Sequence, residues 1–304
     1  MTFSFERFVG IDWSGAEGEG QSGIRVAQMT RQIPRPQFVY PQKGSRWSRQ
    51  DVLTLIGSLV DRPTLVGLDF SFSLPRMSGP DSGQPCFAKL KGARDLWAFV
   101  DEFCKSEPFF YAGPIWLSEM SPFLPFIKFW SREKRYEGNL FAGGRLRQTE
   151  IAARQCGVQP KSIYRMVGPQ VGAGSFAGMR ILHSLVQGRS ADIAIWPFDA
   201  IDNANVVITE IYPAVFYRKA GHRRPSKRQF ASGDHVRVLK DVLHFFDVER
   251  DVKVPKSDDE MDALITTVAL SWLSRSESSF FAPADPIVGL QEGWIFGVPV
   301  GVRE

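Results

Sequence analysis

Cysteine is scarce in this chain: there are three in 304 residues, Cys86, Cys104 and Cys156, widely separated and with no CxxC pair. That excludes a disulfide framework and a thiolate zinc site. The four histidines, His183, His222, His235 and His244, have no metal-ligand spacing either. No uncharged apolar run reaches the roughly 18 residues a membrane span requires. The first residues, MTFSFERFVGID, enter a strand pattern at once and carry no apolar leader, so the expectation is a cytoplasmic protein. GxxxxGK[ST] and GxSxG are both missing, which removes the P-loop and the nucleophile elbow.

What is present is an ordinary globular composition, 43% hydrophobic and 23% charged, in a chain long enough to bury a large core. Periodicity and breakers predict strands over 7–13, 24–29 and 36–40 as a meander, a helix over 49–60, and a buried strand over 64–72. A further strand over 206–212 precedes Pro213, and helices follow over 234–246 and 259–273. Three antiparallel strands followed by alternating helices and strands indicate a mixed sheet covered by helices. The stretch 108–172 is rich in aromatics and proline but has no clean period, and reads as an insertion or lid within a single domain spanning 1–304.

Gly18, Gly20 and Gly23 spell GxGxxG directly after the first strand. A dinucleotide site needs a helix next, and here the next segment is IRVAQM. A hairpin turn explains the glycines better.

The informative residues are acids in places where acids are costly. Asp12 follows FVGI, Asp69 lies inside TLVGLDFSF, and Glu210 is embedded in VVITEIYP. An unpaired buried carboxylate costs several kcal/mol, so three such positions call for a common cause. In SDDEMDAL, Asp259 and Asp262 are three apart and Asp258 and Asp262 four apart, which places acids on one face of a first helical turn. Ser257 or Asp258 suits the N-cap, whereas Asp262 sits among the apolar residues that bind the helix to the sheet. If the four converge, divalent cations are the natural counter-charge, and an all-oxygen ligand set selects Mg2+ or Mn2+. Two such ions would support phosphodiester hydrolysis.

The order GID at 10–12, GLDFSFSLP at 67–75, EIYPA at 210–214, DDEMDAL at 258–264 and EGWIFGVP at 292–299 resembles the predicted nucleases of the ribonuclease H-like superfamily catalogued as domain of unknown function 429. The resemblance implies an α/β fold: a five-stranded mixed sheet with its first three strands antiparallel, helices on both faces and an inserted subdomain. It further implies Asp12 on the first strand, Asp69 on the fourth and Glu210 on the fifth. In that scheme Asp12 bridges two metals, Asp69 and Glu210 bind mainly one, and Asp262, helped by Asp259, binds the ion that activates water.

Charge supplies the partner. RKAGHRRPSKR, 218–228, contains Arg218, Lys219, Arg223, Arg224, Lys227 and Arg228 with no acid, and follows the Glu210 strand directly. Such a run steers a nucleic acid, DNA or RNA, towards the site. Between 109 and 141, Phe109, Phe110, Tyr111, Trp116, Phe123, Phe126, Phe129, Trp130, Tyr136 and Phe141 either stack bases or form a small core of their own. Two other readings stay open at this point. One is an actin-like ATPase or sugar kinase, with GAGSFAG at 172–178 as a phosphate-binding helix start; the other is a non-catalytic nucleic-acid-binding module.

Overall fold

A computed structural model describes residues 4–75, 90–131, 146–166, 171–188, 191–249, 251–280, 283, 285 and 288–300. Six strands form one sheet: β1 (Arg7–Asp12), β2 (Arg25–Thr30), β3 (Gln37–Val39), β4 (Thr64–Leu68), β5 (Ile193–Ile195) and β6 (Val206–Glu210), in the order β3-β2-β1-β4-β6-β5. β1, β2 and β3 are antiparallel, and β4, β6 and β5 run parallel to β1. Five strands were expected. The sixth is the three-residue edge strand β5, too short for its periodicity to be read, and without it the arrangement is that of a ribonuclease H-like sheet.

The described helices are α1 (Arg49–Ser58), α2 (Ala93–Phe103), α3 (Pro114–Leu117), α4 (Leu124–Ser131), α5 (Gln148–Gln155), α6 (Val171–Gln187), α7 (Pro213–Lys219), α8 (Lys227–Ser232), α9 (His235–Phe245) and α10 (Asp258–Leu273). They cover both faces of the sheet. The strands β1, β4 and β6 are therefore almost wholly buried, which is why they read as continuous apolar runs rather than alternating ones. Val9, Ile11, Val66, Leu68, Val206 and Ile208 face one core with α1, α2 and α6. Phe8, Leu65, Val207 and Ile211 face a second core with α7, α9 and α10.

α10 lies close across β1 because two strand positions lack a side chain. A Cβ on Gly10 would stand 2.3 Å from the Ala263 carbonyl oxygen, and one on Gly67 would stand 2.9 Å from the Ile211 side chain and 3.0 Å from Thr266. In place of side chains there is a polar seam: the Gly10 N–H donates to Thr267 Oγ1 at 3.0 Å, which itself lies 3.0 Å from the Ala27 carbonyl. Ser257 caps α10 by accepting from the Glu260 N–H at 3.1 Å, so the helix begins immediately before Asp258.

Two expected strands stop early. The sheet releases the chain at Leu68 and at Glu210, not at 72 and 212. The Phe70 N–H turns back to the Leu68 carbonyl at 3.0 Å, so Asp69 stands at the exit of its strand. The glycines after β1 belong to the connection to antiparallel β2, with Gly18 at φ +92°, and no helix follows them there. The described part of 108–172 contributes helices and no strand. Phe123 and Phe126 are fully buried in the first core and Phe110 and Trp116 pack against it, so these aromatics hold the segment down. Phe109 is 43% exposed, while Tyr136, Phe141 and Cys86 lie outside the described residues. Among the described residues no helix is long and apolar enough to cross a membrane.

Candidate active site

The register of the central strands decides which acids can meet. Ile11 pairs with Leu68 and Leu68 with Glu210, and the ladder continues through the Asp69 N–H to the Ile11 carbonyl at 3.1 Å. Asp12 and Asp69 are thus neighbours at the same level. By strand alternation they point to the α10 face, as Phe8 and Leu65 do. Glu210, in phase with Val206 and Ile208, points to the other face.

α10 supplies the third acid. Asp12, Asp69 and Asp262 each place a carboxylate oxygen within 4.8 Å of the other two. Asp259 lines the same cavity, and its charge bears on Asp12. The acids line a cavity of about 510 Å³, together with Trp13, Tyr212, Lys161 and Arg224.

Electrostatics follow from this crowding. Burial, then the charges of Asp262, Asp69 and Asp259, push the Asp12 carboxyl well above its ordinary value, with Arg224 pulling it partly back. Burial and then Asp262 raise Asp69 to about 7. Asp262 is raised to about 6 by burial, although Arg224 and Tyr217 both favour its charged form. Asp259 is raised by burial and by Asp258. Near neutral pH the cluster therefore retains protons that a divalent cation would replace.

No family model, curated protein or solved structure matches this chain. The sheet's order and strand directions resemble a ribonuclease H-like arrangement.

Glu210 lines the same cavity and its charge adds to the rise at Asp69, but its carboxylate is not among the three that converge. Its carboxylate is gripped by both terminal nitrogens of Arg147, Nη1 at 2.8 Å to Oε2 and Nη2 to Oε1, and Oε2 also accepts from the Phe72 N–H at 2.9 Å. Arg147 is 1% exposed and reaches Glu150 Oε1 at 3.1 Å and the Glu292 carbonyl at 3.0 Å as well. The Glu292 carboxylate accepts from the Gln148 N–H at 2.7 Å. This network fastens the start of α5 and the segment around 292–296 to the end of β6. Nothing local to Arg147 marks it as the partner of Glu210 across 63 residues.

Asp262, 2% exposed, accepts from the Tyr217 hydroxyl at 2.9 Å and from Arg224 Nη2 at 2.5 Å. Arg224 Nη1 lies 3.5 Å from Asp258, one helical turn before Asp262. Among the described residues no salt bridge reaches Asp12 or Asp69. Of the basic run, Arg224 alone lines the cavity. Arg218 and Lys219 end α7 and are half-buried; Arg223, Lys227 and Arg228 are exposed around the connector to α8. Tyr217 was not singled out from sequence, and its place among the apolar residues of α7 gives no sign of its hydroxyl's destination.

The loop beyond Asp12 is held by a fully buried arginine. Arg49 donates to the carbonyls of Ser14 (3.0 Å), Ala16 (2.5 Å) and Phe109 (2.8 Å), and to Gln21 Oε1 at 3.2 Å. Trp13 Nε1–H donates to the Gly174 carbonyl at 3.0 Å, joining this loop to the first turn of α6. The GAGSFAG glycines serve packing: a Cβ on Gly172 would meet the Ile163 carbonyl at 2.2 Å, and one on Gly178 the Phe70 ring at 2.4 Å.

Proposed function

We propose that this protein is a metal-dependent nuclease that hydrolyses phosphodiester bonds, with Asp12, Asp69, Asp262 and Asp259 as the carboxylates that hold Mg2+ or Mn2+. The carrying observation is the convergence of three carboxylates from β1, the exit of β4 and α10 within 4.8 Å, at the carboxyl ends of parallel strands. The donor set fits the group: it is all oxygen, with no histidine or cysteine, and two of its acids have no basic partner among the described residues. Bound there, the cations would supply an activated water and neutralise charge developing on the phosphate.

The chain's own residues then divide the work. Asp12, beside Asp69 and Asp262, would share in holding the cations with both. Asp69 holds the side towards β6, and Asp262 the side towards α7, with Tyr217 fixing its orientation. Glu210 is read as a positioning residue that sets Arg147, in place of the ligand role expected for it. Asp12 and Asp262 are buried while Asp69 and Asp259 are half-buried in the cavity wall, and desolvation of the first two strengthens charge interactions there. The basic run supports a polyanionic partner, DNA or RNA, with Arg218, Lys219, Arg223, Arg224, Lys227 and Arg228 along its approach.

The motif order around these acids supports placing the chain with the family of domain of unknown function 429, as one domain over 1–304 with an insertion or lid at 108–172, acting in the cytoplasm. The test is a cleavage screen with Mn2+ across single-stranded, duplex and branched DNA and RNA, run with wild type, Asp12→Asn and Asp262→Asn. Cleavage by wild type alone is the expected result. Binding without cleavage in all three proteins would favour a non-catalytic module and end the nuclease reading.

A further inference from the structure

We propose that Arg224 is a displaceable counter-charge: it neutralises Asp262 while the site lacks a divalent cation, and turns to hold the substrate phosphate when a cation takes that carboxylate. This rests on the divalent-cation reading of the acidic cluster. It assigns to one residue of the basic run a role that the other five do not share.

Two arginines meet acids around this cavity, and they are built differently. Arg147 is 1% exposed and committed to Glu210, Glu150 and the Glu292 carbonyl, so moving it would strip several buried acceptors at once. The Arg224 side chain is 42% exposed, while the Asp262 side chain it contacts is 3% exposed. One end of the pair is wet and the other dry. Leaving costs Arg224 little, because water waits for it, whereas Asp262 cannot be left uncompensated and needs a cation in exchange.

Position allows the exchange. Arg224 lies in the connector between α7 and α8, outside either helix, with Gly221 at φ +80° on one side and Pro225 on the other. Its two terminal nitrogens face Asp262 at 2.5 Å and Asp258 at 3.5 Å, so the guanidinium sits where a hard cation would draw on the same oxygens. A planar guanidinium released from a carboxylate is also suited to a phosphate, which offers the same two-oxygen edge. Rotation of the side chain keeps it in the cavity it already lines. Cation and phosphate binding are then linked through Arg224, and linkage is reciprocal.

The experiment measures Mn2+ binding by calorimetry to wild type, Arg224→Gln, Arg224→Lys and Asp262→Asn, each checked for folding by thermal melting. It then measures binding of a short oligothymidylate with and without Ca2+. Arg224→Gln is expected to bind Mn2+ about five- to thirty-fold more tightly than wild type, because the competitor is gone. Arg224→Lys, which keeps the charge on a compact ammonium, should fall between them. The gain in oligothymidylate affinity produced by Ca2+ should shrink about tenfold in Arg224→Gln. Equal Mn2+ affinity in folded Arg224→Gln and wild type overturns the role of Arg224 and leaves the metal site standing. A loss of oligothymidylate affinity that is the same with and without Ca2+ also overturns it, since Arg224 would then be a fixed surface charge. Failure of wild type and Arg224→Gln alike to bind Mn2+ overturns both the inference and the cation reading beneath it.

Discussion

Replacing Asp69 by Asn tests the electrostatic account directly, because it removes one charge from the cluster while keeping the side chain's shape. Asp69 is raised from 3.8 to about 7, chiefly by burial and next by Asp262. The folded protein therefore binds more protons than the unfolded chain between about pH 4 and pH 7, and cation-free stability falls as pH rises through that window. A rise of that size corresponds to on the order of 4 kcal/mol of unfavourable folding free energy once the group is ionised. The proton is shared with Asp12 and Asp262, so the cost belongs to the cluster, and Asn should recover about half of it, roughly 2 kcal/mol. In a chain of this length that is about 4 °C in Tm. The assay is urea and thermal unfolding in chelator from pH 5 to 8.5. Asp69→Asn should be the more stable protein at pH 8, with a flatter pH profile, and the difference should narrow steadily towards pH 5. Saturating Mn2+ should reverse the order at pH 8, since wild type gains more from binding. A variant less stable than wild type at pH 8 in chelator would refute the reasoning.

Three further outcomes follow from the same geometry. Gly10→Ala places a Cβ 2.3 Å from the Ala263 carbonyl, so α10 must move; a loss of about 3 kcal/mol in urea unfolding and weaker Mn2+ binding are expected as Asp262 is carried away. Glu210→Gln leaves Arg147 buried with reduced compensation and should cost about 3 kcal/mol in stability, while calorimetry should find Mn2+ affinity altered less than about twofold, unlike Asp12→Asn. Changing Arg223, Lys227 and Arg228 together to Ala should lower the slope of log binding constant against log salt for oligonucleotides by about 2 to 3, leaving Mn2+ affinity in place.

Much of the frame could be read from the chain. The apolar runs over 7–13, 64–72 and 206–212 announced buried strands, and the acids within them stood out because ionised carboxylates are expensive there. Asp262 was legible for the same reason, lying beyond its cap among apolar residues of α10. The strand β5 was not, because three residues are too few to show a period. Nor was the destination of the Phe123 and Phe126 rings, since aromatic content alone does not separate a stacking surface from a core.

The sequence by itself determined that Asp12, Asp69, Glu210 and Asp262 would lie among apolar residues of strands and a helix, a matter of local polarity against its surroundings. Only the tertiary structure decided which of them face each other. In the register of β4 against β6, Glu210 lies beside Leu68 and not beside Asp69, and a single residue of phase turns a side chain to the opposite side of a sheet. Asp12, Asp69 and Asp262 therefore converge at the start of α10, while Glu210, which lines the same cavity, turns its carboxylate to Arg147. Which arginine shields which acid is likewise a long-range outcome: the chain's charges are local, but their pairing follows from where the sheet and helices bring them.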